Sequence, residues 1–348
     1  MDADAPTSSL DRVEKQESCR ERHMKIWNFL TVAALCQAAV LGMPASSSAQ
    51  TSFPERAIKL IVSFPPGGGS DAVGRIIAQK LSENIQKPVV VDNRAGAATN
   101  IGLDAIAKAP PDGYTMGLAT SNLAINPAVF PSLPFNPVTD FTPVTLAATG
   151  LYGLVVHPSV PANSVRELIA YAKANPGKID AATAGIGTPP HLALAQLNNL
   201  AGTDIVPVAY KGAAPALVSV IAGETKLYFT VLSAALPHIK SGKLRLIALT
   251  TPERSSMVPD VPTMSEEGVK LEIYEWYGIV LPAKVPAQIV TYLNQEIVKV
   301  LKDESIKTRL TELGCEAVGS TPEAFGTFIR SEIKKMGEIA RAANIKVE

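Results

Sequence analysis

A glycine-rich stretch follows the first apolar segment of the folded part of the chain and precedes a helical pattern. It spans residues 64–71 and reads Phe-Pro-Pro-Gly-Gly-Gly-Ser-Asp. Glycines let a backbone approach a ligand closely, and the first N–H groups of a helix have no partner within it. Such a loop favours the binding of an anion, and its alternative is a tight turn that binds nothing.

Two later turns repeat the order of strand, glycine turn and helix. The stretch 180–192 offers the hydroxyls of Thr183 and Thr188 beside backbone amides, with Pro190 where a helix start tolerates it. The stretch 210–215 is the other turn. If a cleft closes over these turns, helix N-termini from opposite sides face one another. That geometry suits a small molecule with two carboxylates.

The first loop also matches a dinucleotide-binding pattern. Gly67, Gly69 and Ala72 have the required spacing, and Asp92 lies 20 residues after Ala72 at the end of the next apolar strand. The preceding prolines stiffen the turn, however, and Asp71 places a carboxylate where a pyrophosphate would sit. A dinucleotide-dependent enzyme is therefore the alternative interpretation rather than the preferred one.

Motifs for covalent or metal chemistry are missing from the sequence. It has no Gly-x-Ser-x-Gly elbow, no phosphate-binding P-loop, no His-Glu-x-x-His and no Cys-x-x-Cys. His191 stands at a predicted helix start, where we expect a hydrogen-bonding role rather than that of a general base. Cys315 is expected to be a packed small residue. We predict no catalytic group, no cofactor and no metal.

Composition and charge exclude further classes of protein. The 348 residues carry 32 basic and 32 acidic side chains, and 18% of residues are charged against 47% hydrophobic. A neutral chain has no basic field for phosphate backbones, so we expect no nucleic-acid partner. A mean hydropathy of +0.16 is too apolar for disorder. The length favours about two domains, at ~150 residues each.

The first 49 residues have the pattern of a secretory leader. Lys25 precedes an apolar run over 26–43, and small residues follow up to Ala49. We predict a signal peptide cleaved after Ala49 and a periplasmic location, with Met24 as a second candidate initiator. The alternative, a membrane anchor, has only ~18 apolar residues, the lower limit for a span. Cleavage leaves Cys315 alone, so no disulfide could form within the chain.

Apolar runs and helical spacings alternate from residue 58 onward, which predicts an α/β fold with mostly parallel strand pairing. Two crossings between lobes are expected near 147–153 and 274–278. The predicted division is a leader over 1–49, lobe 1 over 50–148 plus 277–348, and lobe 2 over 149–276. The predicted strands are 58–64, 88–92, 114–120, 151–157, 178–184, 205–209, 226–231 and 244–250. The predicted helices are 70–85, 102–109, 164–174, 191–201, 214–222, 286–301 and 322–343.

A series of segments in one order resembles a known family. These are residues 53–71, 91–102, 112–115, 133–141, 185–191, 210–212 and 276–278. Together they resemble the Bug-type periplasmic solute-binding receptors of tripartite tricarboxylate transporters. The resemblance implies a two-lobed periplasmic binding protein fold of type II, with a cleft between lobes joined by a double hinge. It also implies a receptor that delivers a small organic anion to a membrane permease.

In that family two loops hold a ligand carboxylate, partly through backbone amides and water. Carried over to this sequence, the resemblance implies a set of ligand contacts. They are Phe64, Gly67, Gly68, Gly69, Asp71, Thr120, Ser121, Asn122, Thr183, Ala184, Gly185, Gly187, Thr188, His191, Lys211, Gly212 and Thr230. Thr230 stands where many relatives have an acid suited to a ligand amino group, which argues against an amino-acid ligand. Ala184 and Thr99 also depart from the family pattern.

The resulting hypothesis is a non-enzymatic, monomeric receptor for a small mono- or dicarboxylate, which closes around it by hinge motion. Phe64 would supply an apolar wall that admits aromatic acids. Two alternatives stay open: the dinucleotide-dependent enzyme, and a receptor that presents its ligand to a sensor kinase. The identity of the carboxylate is a question of pocket shape.

Overall fold

Two mixed β-sheets organise the residues that the structure describes. The structure is a computed structural model that describes residues 53–343 and Ile345, so the predicted leader and its cleavage site lie outside the described residues. The strands are β1 Ile58–Val62, β2 Val89–Asn93, β3 Thr115–Thr120, β4 Phe141–Gly150, β5 Tyr152–Val156, β6 Asp180–Thr183, β7 Val206–Ala209, β8 Leu227–Val231, β9 Arg245–Leu249, β10 Glu275–Pro282 and β11 Cys315–Ala317. The helices are α1 Gly69–Ile85, α2 Asn100–Ala107, α3 Asn122–Val129, α4 Val165–Ala174, α5 Pro189–Ala201, α6 Ala213–Ile221, α7 Leu232–Lys240, α8 Ala287–Lys302, α9 Glu304–Glu312 and α10 Pro322–Ala342.

Each sheet is the centre of one lobe. The sheet of lobe 1 has the order β11-β4-β10-β3-β1-β2, and that of lobe 2 has the order β7-β6-β8-β5-β9. The two-lobed α/β architecture predicted from sequence is therefore confirmed. The predicted domain boundaries, at 148–149 and 276–277, stay predictions.

The expectation of mostly parallel pairing is wrong. In lobe 1, β1 pairs in parallel with β2 and β3, but β10 is antiparallel to both β3 and β4, and β11 is antiparallel to β4. In lobe 2, β6 is parallel to β7 and β8, but β5 is antiparallel to β8 and β9. The strands that run against the majority direction are β10 and β11 in lobe 1 and β5 in lobe 2, and of these β5 and β10 directly follow a crossing between the lobes. A strand that arrives from the other lobe enters its sheet from the opposite end.

The two crossings lie side by side. β4 and β5 are separated by Leu151 alone, and the return path ends at β10. Thr250 connects them, because its Oγ1 donates to the Ile273 carbonyl at 2.6 Å and its backbone N–H donates to the Tyr152 carbonyl at 3.0 Å. This double connection defines the base of the space between the lobes.

Helix α10 fixes the position of β10 within lobe 1. Thr321 caps the helix by accepting the Ala324 N–H at 3.2 Å, and Pro322 occupies its first turn. Phe325 then packs edge-on against Trp276 with 5.9 Å between ring centroids, and both side chains are fully buried. A Cβ added at Gly278 would lie 1.9 Å from the Phe325 ring, so only glycine allows this approach.

Among residues 53–343 and Ile345, no helix combines the length and the apolar character that a membrane span requires.

Candidate functional site

A cavity of about 560 Å³ opens between the two lobes at the carboxyl ends of several strands. Such a position is where open α/β sheets usually bind ligands. Lobe 1 lines it with Ser63, Phe64, Pro65, Ala95, Gly96, Ala98, Thr99 and Asn122. Lobe 2 lines it with Tyr152, Ala184, Thr188, Pro189, Pro190, Ala213 and Tyr228, and Glu275 lies at the crossing. We take this cavity as the candidate ligand site.

A second cavity of about 510 Å³ lies on the outer side of lobe 1, between the start of β4 and helices α8 and α10. Its lining comes from one lobe only, so hinge closure could not enclose a ligand there. It also lies away from the glycine loops. These two differences favour the cavity between the lobes.

Asp71 braces the first glycine loop from inside the protein. Its Oδ2 accepts the Gly67 N–H and the Arg75 Nε–H, each at 2.9 Å, and its Oδ1 accepts from Asn93 Nδ2 at 2.9 Å. The Arg75 hydrogen bond, with those from Gly67 and Asn93, lowers the pKa of this buried carboxyl to about 2. The carboxylate is thus ionised and fully engaged with protein donors. Asp71 therefore shapes the loop instead of facing the cavity.

The loop leaves several backbone amides without an internal acceptor. Gly67 has a φ of +84°, which only glycine adopts readily, and its N–H is held by Asp71. The following N–H groups of Gly68, Gly69 and Ser70 have no acceptor among the described residues. They form the amino end of α1, where partial positive charge accumulates. The loop therefore has free backbone donors, and anion binding by them stays a prediction.

A second element of lobe 1, the left-handed turn at Ala97–Thr99, is strained. Ala97, Ala98 and Thr99 have φ values of 47°, 50° and 78°, each in the region that disfavours residues with a Cβ. Asn126 holds the turn, because its Nδ2 lies 2.7 Å from both the Ala98 carbonyl and Asn100 Oδ1. Ala98 and Thr99 then line the cavity. Backbone strain at a cavity wall is typical of binding sites.

Two residues of this wall have hydroxyl oxygens that are buried inside lobe 1 and have no hydrogen-bond partner among the described residues. Ser63 is 3% exposed and Thr99 is 5% exposed, and both line the cavity. A buried hydroxyl without a hydrogen bond costs free energy. Ser63 Oγ faces Gly102, where an added Cβ would lie 2.3 Å away, so these hydroxyls are buried behind the wall and do not present a donor to the cavity.

The glycine loop of lobe 2 is satisfied largely by itself. Thr188 Oγ1 donates to the Gly185 carbonyl at 2.7 Å, and the Gly187 N–H lies 3.2 Å from His191 Nδ1. Burial lowers the pKa of His191, which keeps the ring neutral and able to accept that N–H. Helix α5 begins with Pro189 and Pro190, which have no N–H. We expected amide-rich helix ends on both sides of the cleft. Lobe 1 has one, whereas the helix of lobe 2 begins with two prolines and has far fewer free N–H groups.

The base of the cavity carries an acid, Glu275, that is not among the contacts predicted from the sequence. Glu275 Oε1 accepts the Ser121 N–H at 2.9 Å and lies 3.3 Å from the Trp276 nitrogen. Burial raises the pKa of Glu275 to about 6. Tyr152 and Tyr228 lie on the same wall, and burial raises the pKa of both, to about 12 for Tyr228. The signal available in the sequence was an acid inside the apolar run 273–282 at an expected crossing.

Four of the predicted contacts line the cavity directly: Phe64, Asn122, Ala184 and Thr188. Ser121 holds Glu275, and Gly212 precedes the lining residue Ala213 at the start of α6. His191 lines a separate cavity of about 310 Å³ beside the end of α10. The structure does not bring the remaining predicted residues to the cavity wall: Gly67, Gly68, Gly69, Asp71, Thr120, Thr183, Gly185, Gly187, Lys211 and Thr230. Ligand contacts from any of these residues stay predictions.

Within the described residues no group of three or more His, Cys, Asp or Glu side chains could hold a metal ion. The acid of the dinucleotide pattern is also engaged: Asp92 Oδ2 lies 3.0 Å from Arg94 Nε and 3.6 Å from Lys59 Nζ. A ribose at Asp92 would share this carboxylate with both cations.

The chain matches the family model described as tripartite tricarboxylate transporter family receptor over residues 73–345. It is 35% identical over 315 residues to Protein BugT of Bordetella pertussis, which covers 89% of this chain and 96% of BugT. Its fold is similar to that of R. palustris Rpa4515 with adipate, at 34% identity and a TM-score of 0.75, covering 85% of this chain and 100% of that one.

Two further solved structures are similar. The periplasmic binding protein BugD shares 30% identity at a TM-score of 0.71, covering 85% of this chain and 100% of its own. MatC of Rhodopseudomonas palustris, with bound malate, shares 28% identity at a TM-score of 0.70, covering 82% of this chain and 99% of its own.

Proposed function

Because this chain belongs to the tripartite tricarboxylate transporter receptor family, we propose that it captures a small organic carboxylate between its lobes and delivers it to the membrane subunits of such a transporter. The proposed receptor acts without catalysis. Two relatives with bound carboxylates, adipate in Rpa4515 and malate in MatC, support the ligand class.

The observation that carries this proposal is the set of hydrogen-bond donors that lobe 1 places at and beside the cavity. The lobe 1 wall of the cavity includes the side-chain amide of Asn122 and the start of the glycine loop at Phe64. The free amides of Gly68 and Gly69 follow in that loop. These groups are uncharged donors, and oriented donors can hold an anion in a chain whose formal charge is zero.

Aromatic side chains support a finer proposal, that the ligand can include an aromatic ring. Phe64 lines the lobe 1 side of the cavity, and Tyr152 and Tyr228 line the lobe 2 side. A flat acid held between such walls gains offset stacking of about 0.5–1.5 kcal/mol per contact. Phe64→Leu should weaken benzoate-type ligands and leave aliphatic acids of similar size unaffected.

Calorimetry and thermal shift with a panel of aliphatic and aromatic carboxylates test the function itself. Gly68→Leu is the matching variant, because Gly68 has φ −83° and the nearest atom to an added Cβ is 3.8 Å away. The fold should therefore tolerate leucine, while its side chain covers the loop amides and removes ligand-induced stabilisation. Gly68→Ala should show an intermediate loss. Unchanged affinity in Gly68→Leu would remove the first loop from the site.

We place the mature receptor in the periplasm, with the leader cleaved after Ala49. The similar BugD is a periplasmic binding protein, which supports the location. Sequencing of the mature amino terminus should give Gln50 as the first residue. An unprocessed precursor that starts at Met24 would identify that methionine as the initiator, and one that starts at Met1 would exclude it.

The remaining alternatives have direct tests. A nicotinamide dinucleotide titration should show no binding, since the Asp71 carboxylate lies within the glycine loop and accepts the Gly67 N–H, where a pyrophosphate would need the loop's donors. Light scattering should give the mass of a monomer with and without carboxylate. Uptake of labelled ligand into cells with and without the permease genes separates transport from ligand presentation to a sensor kinase.

A further inference from the structure

Glu275 is the single charged side chain on the wall of the cavity between the lobes. The other fifteen lining residues are apolar, hydroxyl-bearing or amide side chains, and no lysine, arginine or histidine is among them. A ligand in this cavity therefore meets one acid and no base. The sign of that charge constrains which small carboxylates the cavity accepts.

The protein leaves the charge of Glu275 without a cation. Its Oε1 accepts the Ser121 N–H at 2.9 Å, and the Trp276 N–H lies at 3.3 Å. The titratable groups that interact with it from neighbouring strands are Tyr152, Tyr277 and Cys315, none of which is cationic. Buried carboxylates are normally paired or protonated. Glu275 thus has backbone donors but no cation, and a ligand in the cavity can supply a further donor to it.

The donors for a ligand carboxylate lie on the other side of the site. Lobe 1 supplies the side-chain amide of Asn122 and, in the loop that begins at Phe64, backbone N–H groups without an acceptor among the described residues, whereas Pro189 and Pro190 give lobe 2 an apolar helix start without N–H groups. The cavity thus has one region that stabilises an anion and one acid at its base. It does not have two anion-binding ends.

We propose that this cavity selects acids with a single carboxylate and, at the end that meets Glu275, a hydrogen-bond donor such as a hydroxyl or an ammonium group instead of a second carboxylate. The selection rests on the proposed carboxylate-binding function. A donor completes the hydrogen bonding of Glu275, whereas a second carboxylate in contact with it would force one of the two to take up a proton.

The two kinds of ligand differ in the sign of their pH dependence. Burial raises the pKa of Glu275 to about 6, so the ionised form dominates above that value. A donor ligand needs the ionised acid, and its affinity should fall as the pH decreases through about 6. A dicarboxylate needs the protonated acid, and its affinity should rise over the same interval.

Calorimetry with the purified mature chain and its Glu275→Gln variant tests the selection. The probes are butyrate, γ-hydroxybutyrate, γ-aminobutyrate and succinate, with the six-carbon series of caproate, ω-hydroxycaproate, ε-aminocaproate and adipate as the longer set. At about pH 7.5 we expect a donor acid to bind at least ~10-fold more tightly than the dicarboxylate of the same length, since a hydrogen bond to a charged group supplies such a factor.

Glu275→Gln should reduce that preference at least ~10-fold, mainly by improving dicarboxylate binding. Glu272→Gln is the matched control: it removes an acid three residues away that does not line the cavity, and the preference should be unchanged. Dicarboxylates that bind wild-type protein as tightly as the donor acids, with no effect of Glu275→Gln, would overturn the proposal. Failure of every carboxylate to bind both proteins would instead refute the proposed function.

Discussion

The carboxylate of Asp71 accepts the backbone N–H of Gly67 at 2.9 Å, so the first glycine loop is closed by a residue of the helix that follows it. Asp71→Ala removes this acceptor and leaves Gly67, Arg75 and Asn93 without their partner. We expect a loss of about 1–3 kcal/mol in the free energy of unfolding, together with weaker ligand binding. Urea denaturation and calorimetry measure the two effects.

Asp260→Ala is the control for that variant, because Asp260 is exposed and its change should alter neither quantity. The pH dependence gives a second check on Asp71. Its pKa is lowered from 3.8 to about 2 in the folded protein, so its stabilisation is complete above about 4 and is lost as the pH falls toward 2. The stability difference between wild type and Asp71→Ala should therefore shrink over that interval. A constant difference would contradict this role.

Asn126 should couple fold stability to ligand affinity. Asn126→Ala removes the donor to the Ala98 carbonyl and to Asn100, so the strained turn at the cavity wall loses its support. We expect about 1–3 kcal/mol of destabilisation and at least a ~10-fold loss of affinity. Asn294→Ala is the matched control, since its amide also donates to two carbonyls, those of Val144 and Ser320, away from the cavity. It should lose stability and keep its affinity.

The hydroxyl of Thr250 should stabilise the contact between the two crossings. Thr250→Val keeps the shape of the side chain but removes the hydroxyl that donates to the Ile273 carbonyl at 2.6 Å. We expect about 1 kcal/mol of destabilisation and faster hydrogen exchange at the backbone amides on both crossings. Thr251→Val removes a hydroxyl bonded to the Glu253 carbonyl at 2.8 Å, outside the crossings, and should not change their exchange. Equal exchange in the two variants would show that Thr250 has no such role.

Cys315 should be inert in the native protein. It is 2% exposed, and burial raises the pKa of its thiol to about 12. An aromatic disulfide reagent at about pH 8 should react only at the rate of unfolding, because thiolate is the reactive form. The unfolded mature chain should release one equivalent of thiol. Rapid labelling without denaturant would contradict the packing of β11.

The periodic elements were predictable from the sequence because their burial patterns are local. Helix α1 buries Val73, Ile76, Ile77 and Leu81 on one face, as the spacing predicts. Helices α3 and α7 were not predicted, since each contains an internal proline, Pro127 and Pro237 respectively. Strand β4 is not predicted either, since residues 147–153 are expected to form a crossing, whereas β4 continues to Gly150.

The candidate site was only partly predictable for a different reason. The glycine loop that begins at Phe64 is contiguous in sequence, so its character as a turn before a helix could be inferred. Glu275 and Ser121 are 154 positions apart, and nothing local indicates that a backbone N–H of one end of β3 meets the carboxylate at the start of β10. The role of Asp71 as a brace likewise depends on Asn93, which comes from a neighbouring strand.

The placement of β10 between β3 and β4 has a consequence for the order in which the protein can form. All strands of the lobe 2 sheet lie between Tyr152 and Leu249, so that sheet can be completed early during synthesis. The lobe 1 sheet leaves β3 and β4 with unpaired edges until β10 has emerged. A chain that ends before residue 275 would expose two apolar strand edges, which are templates for aggregation. The lobe 1 sheet, whose first strands lie near the amino terminus, therefore cannot be completed until the carboxyl-terminal segment has been synthesised.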